Sequence, residues 1–455
     1  MLRHLLCLGL LLCLATSAHA EDRRPWQAGV AKIIITPEKP MWMSGYAGRD
    51  KPATGKLHDL WAKALVIEDP RGKRGVLVTL DLIGLNREIS QSICRQLMKK
   101  YKLERDGIIL SSSHTHTGPV VHSNLNVMFF LNKEEQEAVL EYARLLEKRI
   151  VHVVGDAVGK LAPAKLAWNI GTAGFAVNRR NNKEADVPML REKGLLKGPN
   201  DHDVPVLTVT DGRGKLTAIV FGYACHSTVL PFFEWSGDYP GFAQIELEQA
   251  HPGAIAMFWA GCGGDQNPLP RRTVPLARKY GKELADAVDA VLAKPMKAID
   301  GNLTMSYAEI DLPFAELPTR EQLVKDTEST NKYVANRARL LLEKLKKQGS
   351  LRGSYPYPVQ AWQLGPDVTL VTLGGEVVVD YALRVKKELT PGTTWVMGYA
   401  NDVMAYIPSL RVLKEGGYEG GGAMIYYGLP TVWGPTVEER IMEAVHARAK
   451  KVRGQ

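Results

Sequence analysis

Histidines 114 and 116 flank Thr115 just after an apolar, strand-like run that begins Ile108-Ile109-Leu110. Alternate residues of an extended segment project to the same side, so both imidazoles can face one pocket. One could bind a metal while the other handles a proton or a substrate oxygen. A single histidine there would read as a satisfied structural residue, but a pair in a Ser/Thr-rich strand end carries the chemical reading as well. His226, after Tyr223-Ala224-Cys225, closes a second such run, Ala218 to Phe221. A third, Ala254 to Trp259, opens into Gly261-Cys262-Gly263-Gly264-Asp265-Gln266-Asn267-Pro268. That loop supplies backbone that a substrate or an oxyanion can approach. Its spacing fits neither of the phosphate-binding glycine motifs, which argues against a nucleotide.

Glu376 follows Gly374-Gly375 at the end of a fourth run, Val368 to Leu373. It reads either as an acid in the first turn of a helix, where it complements the dipole, or as the carboxylate that completes a metal site. Two imidazoles and one carboxylate from separate strand ends match a catalytic zinc, which takes three protein ligands and keeps room for water. Asp238, before Tyr239-Pro240-Gly241, reads as a helix N-cap with a proline in the first turn.

The elements that must position these residues follow from apolar periodicity. Strands are expected over 29–35, 64–67, 76–82, 108–112, 165–170, 205–209, 217–223 and 254–259. Helices are expected over 87–101, 133–161, 239–249 and 274–292. After Lys294-Pro295 come strands at 304–312, 359–363, 368–373 and 394–397, helices at 319–348, 376–389 and 437–450, and a glycine-rich loop at 416–422. This alternation predicts an α/β fold, a mixed sheet layered with helices, whose ligands gather beyond the carboxyl ends of the strands. Residues 21–455 read as one continuous catalytic domain, with the charged helix of 319–348 as an excursion from it.

Bulk properties narrow the setting. Met1-Leu2-Arg3, the apolar Leu5 to Ala15 and the small-residue end Ala18-His19-Ala20 have the three parts of a secretory signal peptide, so residues 1–20 are expected to be removed. The protein is then exported, periplasmic or extracellular. No later apolar stretch is long enough to span a bilayer. Cys94, Cys225 and Cys262 remain, an odd count without a CxxC pair, which speaks against a disulfide framework and a cysteine-zinc site. Cys225 and Cys262 either bridge or stay as buried thiols. The chain carries 58 basic and 49 acidic residues, a formal charge of +9. The basic clusters lack the interleaved aromatics that stack on bases, so no nucleic-acid partner is expected; an anionic substrate or peripheral contact with an anionic membrane surface stays open.

In combination and order, from about Gly29 to Tyr427, these segments resemble the neutral ceramidase family, zinc-dependent amidases that cleave N-acyl-sphingosine. The resemblance implies zinc held by His114, His226, Glu376 and a tyrosine, placed at Tyr406 within Asn401-Asp402-Val403-Met404-Ala405-Tyr406, with Tyr399 as its competitor. It further implies that His116 handles a proton, that Arg179 of Asn178-Arg179 faces the reacting centre, and that Tyr418 of Tyr418-Glu419-Gly420 helps hold the reacting carbonyl. One position departs: Asn267 stands where the family carries its active-site serine, and an amide cannot act as a hydroxyl nucleophile. The chain also ends soon after the last motif, so the family's additional C-terminal β-sandwich is expected to be missing. The resulting expectation is a zinc-dependent hydrolase of an amide bond in ceramide or a related N-acyl, lipid-like compound. It acts through zinc-activated water, with Asn267 or Gln266 orienting the carbonyl. A catalytically silent zinc-containing protein that binds lipid or glycan, or a metal-dependent esterase, are the alternatives.

Overall fold

A computed structural model describes residues 24–454; the expected signal peptide, residues 1–20, lies outside them. The larger sheet has nine strands. In chain order its principal members are β1 (Gln27–Ile34), β2 (Trp61–Glu68), β3 (Arg74–Leu80), β4 (Ile108–Ser112), β5 (Ala162–Thr172), then, after a short strand β6 (Ala176–Asn178) outside this sheet, β7 (Asp203–Asp211), β8 (Leu216–Tyr223) and β9 (Ile255–Ala260). Their spatial order is β9-β8-β7-β5-β1-β2-β3-β4, with the two-residue strand Lys297–Ala298 against β5. The two edge pairs, β3 with β4 and β8 with β9, run parallel, and every other pairing along that path is antiparallel. Residues 266–268 form β10 (Gln266–Pro268), antiparallel to β6.

A second sheet has four strands, β11 (Leu303–Pro313), β12 (Ser354–Leu364), β13 (Val368–Leu373) and, beyond the two-residue β14 (Glu376–Val377), β15 (Thr393–Met397). Here too β13 and β15 are parallel. The pair β14 and β16 (Tyr406–Ile407) forms a small parallel bridge of its own.

Side-chain alternation sorts these strands into layers. Leu77, Val220, Met257 and Trp259 of the large sheet pack against Trp362, Leu370 and Trp395 of the small one. Their neighbours Val76 and Val78 face the helices α1 (Arg87–Tyr101) and α2 (Lys133–Gly159). Ile219, Phe221 and Phe258 face α3 (Asp238–Ala250) and α4 (Val274–Leu292). On the small sheet, Val359, Val371 and Val396 turn the other way and are covered, after the pair α5 (Arg320–Asp326) and α6 (Lys332–Gln348), by α7 (Val379–Glu388) and α8 (Val437–Arg453). The α/β expectation therefore resolves into four layers, helices, sheet, sheet and helices, in which both sheets are buried on both faces.

Most elements start and stop where local chemistry says they should. The α2 helix opens on a capping box, Asn132 with Glu135. The α4 helix opens on Thr273 followed by Pro275. The expected single helix of 319–348 is instead two, α5 and α6. Thr319 caps the first, and Asn331 Oδ1 accepts from the Tyr333 N–H at 3.0 Å, which starts a second helix inside the charged run. The glycine-rich stretch 416–422 is also no open loop, since residues 417–420 form a helical turn.

Gly29 of β1 sits so close to the end of α2 that a Cβ would come 2.0 Å from the Ala157 carbonyl oxygen and 2.9 Å from the Leu161 nitrogen. Both contacts are backbone, so the helix itself must shift. Gly29→Ala should therefore cost about 1–3 kcal/mol in urea denaturation, whereas Gly48→Ala, with nothing within 4 Å of the added methyl, should change stability by less than about 0.5 kcal/mol.

Candidate metal centre

Three parallel strand pairs deliver one residue each to a common point. His114 lies just beyond β4 with φ at 59°, a left-handed conformation that a β-carbon disfavours and that concentrates at functional sites. Its Nδ1 is 2.6 Å from the Ile83 carbonyl. His226 lies just beyond β8, its backbone N–H bonded to the Gln266 carbonyl at 2.9 Å and its Nδ1 2.6 Å from the Gly263 carbonyl. Glu376 opens β14, where its N–H donates to the Ala405 carbonyl at 2.8 Å. It is thus neither in a helix nor a dipole partner, because α7 starts at Val379. Gly375 has φ of 75° and Gly264 approaches so closely that a Cβ would lie 2.6 Å from the Glu376 carbonyl oxygen. Both must be glycine for the three segments to meet.

The meeting point is defined by acceptors. A carbonyl can only accept, so Nδ1 of both His114 and His226 carries the proton and each Nε2 presents a lone pair. Glu376 Oε2 lies 3.0 Å from each of those Nε2 atoms. Its other oxygen accepts a hydrogen bond from the Tyr427 hydroxyl. With both imidazoles neutral, three lone-pair donors thus face one another, an arrangement that a divalent cation would satisfy. Tetrahedral zinc at about 2.0–2.1 Å from each ligand would set ligand atoms about 3.3 Å apart. The Tyr406 hydroxyl oxygen, 3.1 Å from His226 Nε2, supplies a fourth candidate ligand atom. His116 Nε2 is 3.2 Å from His114 Nε2, and the ligand atoms of the three imidazoles all lie within 4.8 Å of one another.

Electrostatics agree with that reading. Burial alone would push the Glu376 carboxyl up, and positive charge at the His114 and His226 ring nitrogens holds it well below the usual carboxylate range, a charge that a cation at the meeting point would supply. Burial, with the Arg179 charge nearby, lowers His226 to about 4, and burial with its two histidine neighbours lowers His116 well below its ordinary value. Glu376 as a carboxylate and His226 as a neutral imidazole are the forms that a divalent cation would require.

The other expected residues fall around this point. The Arg179 guanidinium donates to Glu419 at 2.7 Å, to Asn267 Oδ1 at 3.2 Å and to the Tyr406 hydroxyl at 3.0 Å. Tyr418 stacks edge-on over Tyr406 with ring centroids 5.3 Å apart and remains 45% exposed. Tyr406, not Tyr399, therefore reaches the cluster with its hydroxyl. Tyr399 packs its ring 4.4 Å from that of His114 while its own hydroxyl is buried without a partner. Tyr427 is the residue that the sequence did not single out; it holds Glu376 across 51 positions and carries no local signature. Gln266 is buried in β10, where its backbone carbonyl serves His226.

Two expectations change. Asp238 is the first residue of α3, with φ of 54°, and does not cap it. Its carboxylate instead accepts the backbone N–H groups of Val229, Leu230 and Tyr239, which ties the segment after His226 to the helix. Cys225 and Cys262 are free buried thiols, so the bridging alternative falls away.

Comparison with known proteins places this arrangement. The family model described as neutral/alkaline non-lysosomal ceramidase, N-terminal, matches residues 26–267. The neutral ceramidase of Pseudomonas aeruginosa is 25% identical over 338 residues, which is 69% of this chain and 48% of that protein. Neutral ceramidase A of Dictyostelium discoideum is 26% identical over 271 residues, 55% of this chain and 37% of that protein. The chain thus spans half or less of the length of these curated relatives. The crystal structure of the Pseudomonas aeruginosa enzyme superposes with a TM-score of 0.73 at 20% identity, over 95% of this chain and 75% of that one, a likeness of fold.

Asp402, in the segment that leads to Tyr406, is fully buried, and its pKa is pushed up to about 7 by that burial. The Tyr355 hydroxyl and Arg87 pull it down and Glu309 adds to the rise. The folded chain keeps this proton between about pH 4 and pH 7 while the unfolded chain releases it, so stability falls as pH climbs through that window. Asp402→Asn should match the parent near pH 4 and exceed it at pH 8 by up to about 4 kcal/mol in urea titrations. Parallel pH profiles would mean that the carboxyl is already charged in the folded protein.

Proposed function

Because the chain belongs to the neutral/alkaline non-lysosomal ceramidase family, we propose that it is a zinc-dependent amidase acting on ceramide or a related N-acyl compound. The observation that carries this reading is the convergence of the His114, His226 and Glu376 lone pairs on one point with no proton between them. Zinc bound there would supply Lewis acidity toward the scissile carbonyl and acidify a water molecule.

The chain's own residues do the rest. Tyr427 fixes the Glu376 carboxylate through one oxygen and leaves the other for the cation. Carbonyl oxygens fix the tautomers of His114 and His226, whereas His116 Nδ1 is buried without a partner, so no carbonyl fixes the tautomer of the His116 ring. That suits it to carry a proton to the leaving amine. Arg179, locked by Glu419 and Asn267, holds positive charge against the Tyr406 hydroxyl, and Tyr418 borders the same space. Together they are placed to stabilise negative charge on the reacting carbonyl oxygen. Residues 21–455 act as one catalytic unit in this reading, exported after loss of residues 1–20. No helix among the described residues is long and apolar enough to cross a membrane, and contact with a lipid surface would be peripheral.

Purified protein assayed with zinc against N-acyl amides and simple esters should release amine from amides. His114→Ala should lose both bound metal, by elemental analysis, and turnover. Tyr427→Phe, which frees one carboxylate oxygen, should weaken metal affinity or turnover by about 10–100-fold. Tight binding of amides by metal-loaded protein without turnover would point to a binding protein, and cleavage of esters alone to an esterase.

A further inference from the structure

A cavity of about 550 Å³ opens beside the metal point, and Arg179 and Asn267 form part of its wall. Arg179 is the link inward, through the Tyr406 hydroxyl at 3.0 Å, which itself stands 3.1 Å from His226 Nε2. What lines the remainder is unlike a channel for an alkyl chain. Arg180, Glu184, Arg271, Glu415 and Glu419 contribute charged groups, and Leu269 is the one aliphatic side chain. A long acyl or sphingoid chain placed here would strip water from these ions without replacing their hydrogen bonds.

The charges are also matched. Arg180 bonds Glu419 at 2.7 Å and Glu415 at 3.0 Å, Arg179 bonds the other oxygen of Glu419 at 2.7 Å, and Arg271 bonds Glu184 at 3.1 Å. Three guanidinium and three carboxylate groups line the wall in equal number, and behind it Arg272 bonds Glu184 at 2.6 Å and Arg411 bonds Glu415 at 2.9 Å, so every carboxylate is paired. An anion would meet the carboxylates and a cation the guanidinium groups. A hydroxyl donates to the first and accepts from the second, so several hydroxyls on one frame match this wall best. The half-exposed ring of Tyr418 adds a flat apolar face of the kind that covers the C–H side of a sugar.

We propose that the cavity of Arg180, Glu184, Arg271 and Tyr418 binds a neutral, polyhydroxylated, sugar-like group of the substrate, so that the amide cleaved is one that carries such a group. This rests on the amidase reading and narrows its substrate class. Hydrolysis adds water across the C–N bond as before, the hydroxyl passing to the acyl carbon and the proton to the departing amine.

The test uses the zinc-loaded full chain and two amides with the same acyl chain, N-octanoylglucosamine and N-octanoylhexylamine. Amine release should show kcat/KM about tenfold or more in favour of the glucosamine amide. Arg271→Ala and the shape-conserving Glu184→Gln should each raise KM for that amide about tenfold, with kcat little changed, and leave KM for the hexylamide unaltered. Equal or better cleavage of the hexylamide, or variants that weaken both substrates alike, would overturn the proposal. If the metal-loaded protein cleaves neither, the amidase reading fails and the cavity is judged by calorimetry with methyl N-acetylglucosaminide. Binding that is lost in Arg271→Ala and in Glu184→Gln then supports the sugar-like ligand, and no binding to the parent removes it.

Discussion

Three buried side-chain atoms, His114 Nε2 and His226 Nε2 each 3.0 Å from Glu376 Oε2, are the constraint to which the rest of the molecule answers. Buried acceptors without donors are costly, so such an arrangement persists only where a cation compensates it or where the surrounding fold holds it rigidly. Here the fold does hold it. Each ligand is tied by backbone: the imidazoles by carbonyl oxygens, the glutamate by the bridge between β14 and β16. A metal that arrives finds its ligands already oriented, which is how rigid elements give precise sites.

The layering explains why the ligands come from where they do. The large sheet keeps its parallel pairs at its two edges, and the small sheet brings a third. The segment between β15 and β16 stitches them together. Met397 bridges to Gly261 beyond one edge, Ala400 bridges to Ser111 of the other, and Tyr399 and Asn401 take positive φ to make both contacts. The irregular stretch of residues 398–405 thus ties the edge that carries His114 to the edge that carries His226 and leads to Tyr406, whose hydroxyl stands 3.1 Å from His226 Nε2. Its strain is of the order of 1–3 kcal/mol per outlier, small against the apolar surface that the four layers bury.

Local signals made much of this legible. Ile108–Ser112 and Val368–Leu373 stand where short, largely apolar runs placed them, because strands buried on both faces need no strict alternation. The two histidine segments were visible because strand ends concentrate polar residues after apolar runs. Glu376 was harder, since from sequence it is an acid after two glycines, and its pairing with Tyr406–Ile407, 30 positions on, is what brings it to the two histidines. Tyr427 and the true role of Asp238 depend on contacts across the fold and left no periodic trace. The break at Asn331 was readable in principle, as a capping residue inside a helical run, but the strong periodicity of Leu340 to Leu345 on its far side masked it.

Asn267 carries the chemical argument furthest. A serine at this place could both accept and give a proton, whereas an amide has separate ends. The carbonyl end of Asn267 is already committed to Arg179 at 3.2 Å. What remains to face a ligand is an NH₂ group, a donor without basicity. Asn267 can therefore orient an oxygen but cannot attack as a nucleophile, and it stands beside a wall of paired guanidinium and carboxylate groups. In the proposed amidase reaction nucleophilic attack would then fall to water, and the side chains of this face would choose which molecule presents its carbonyl.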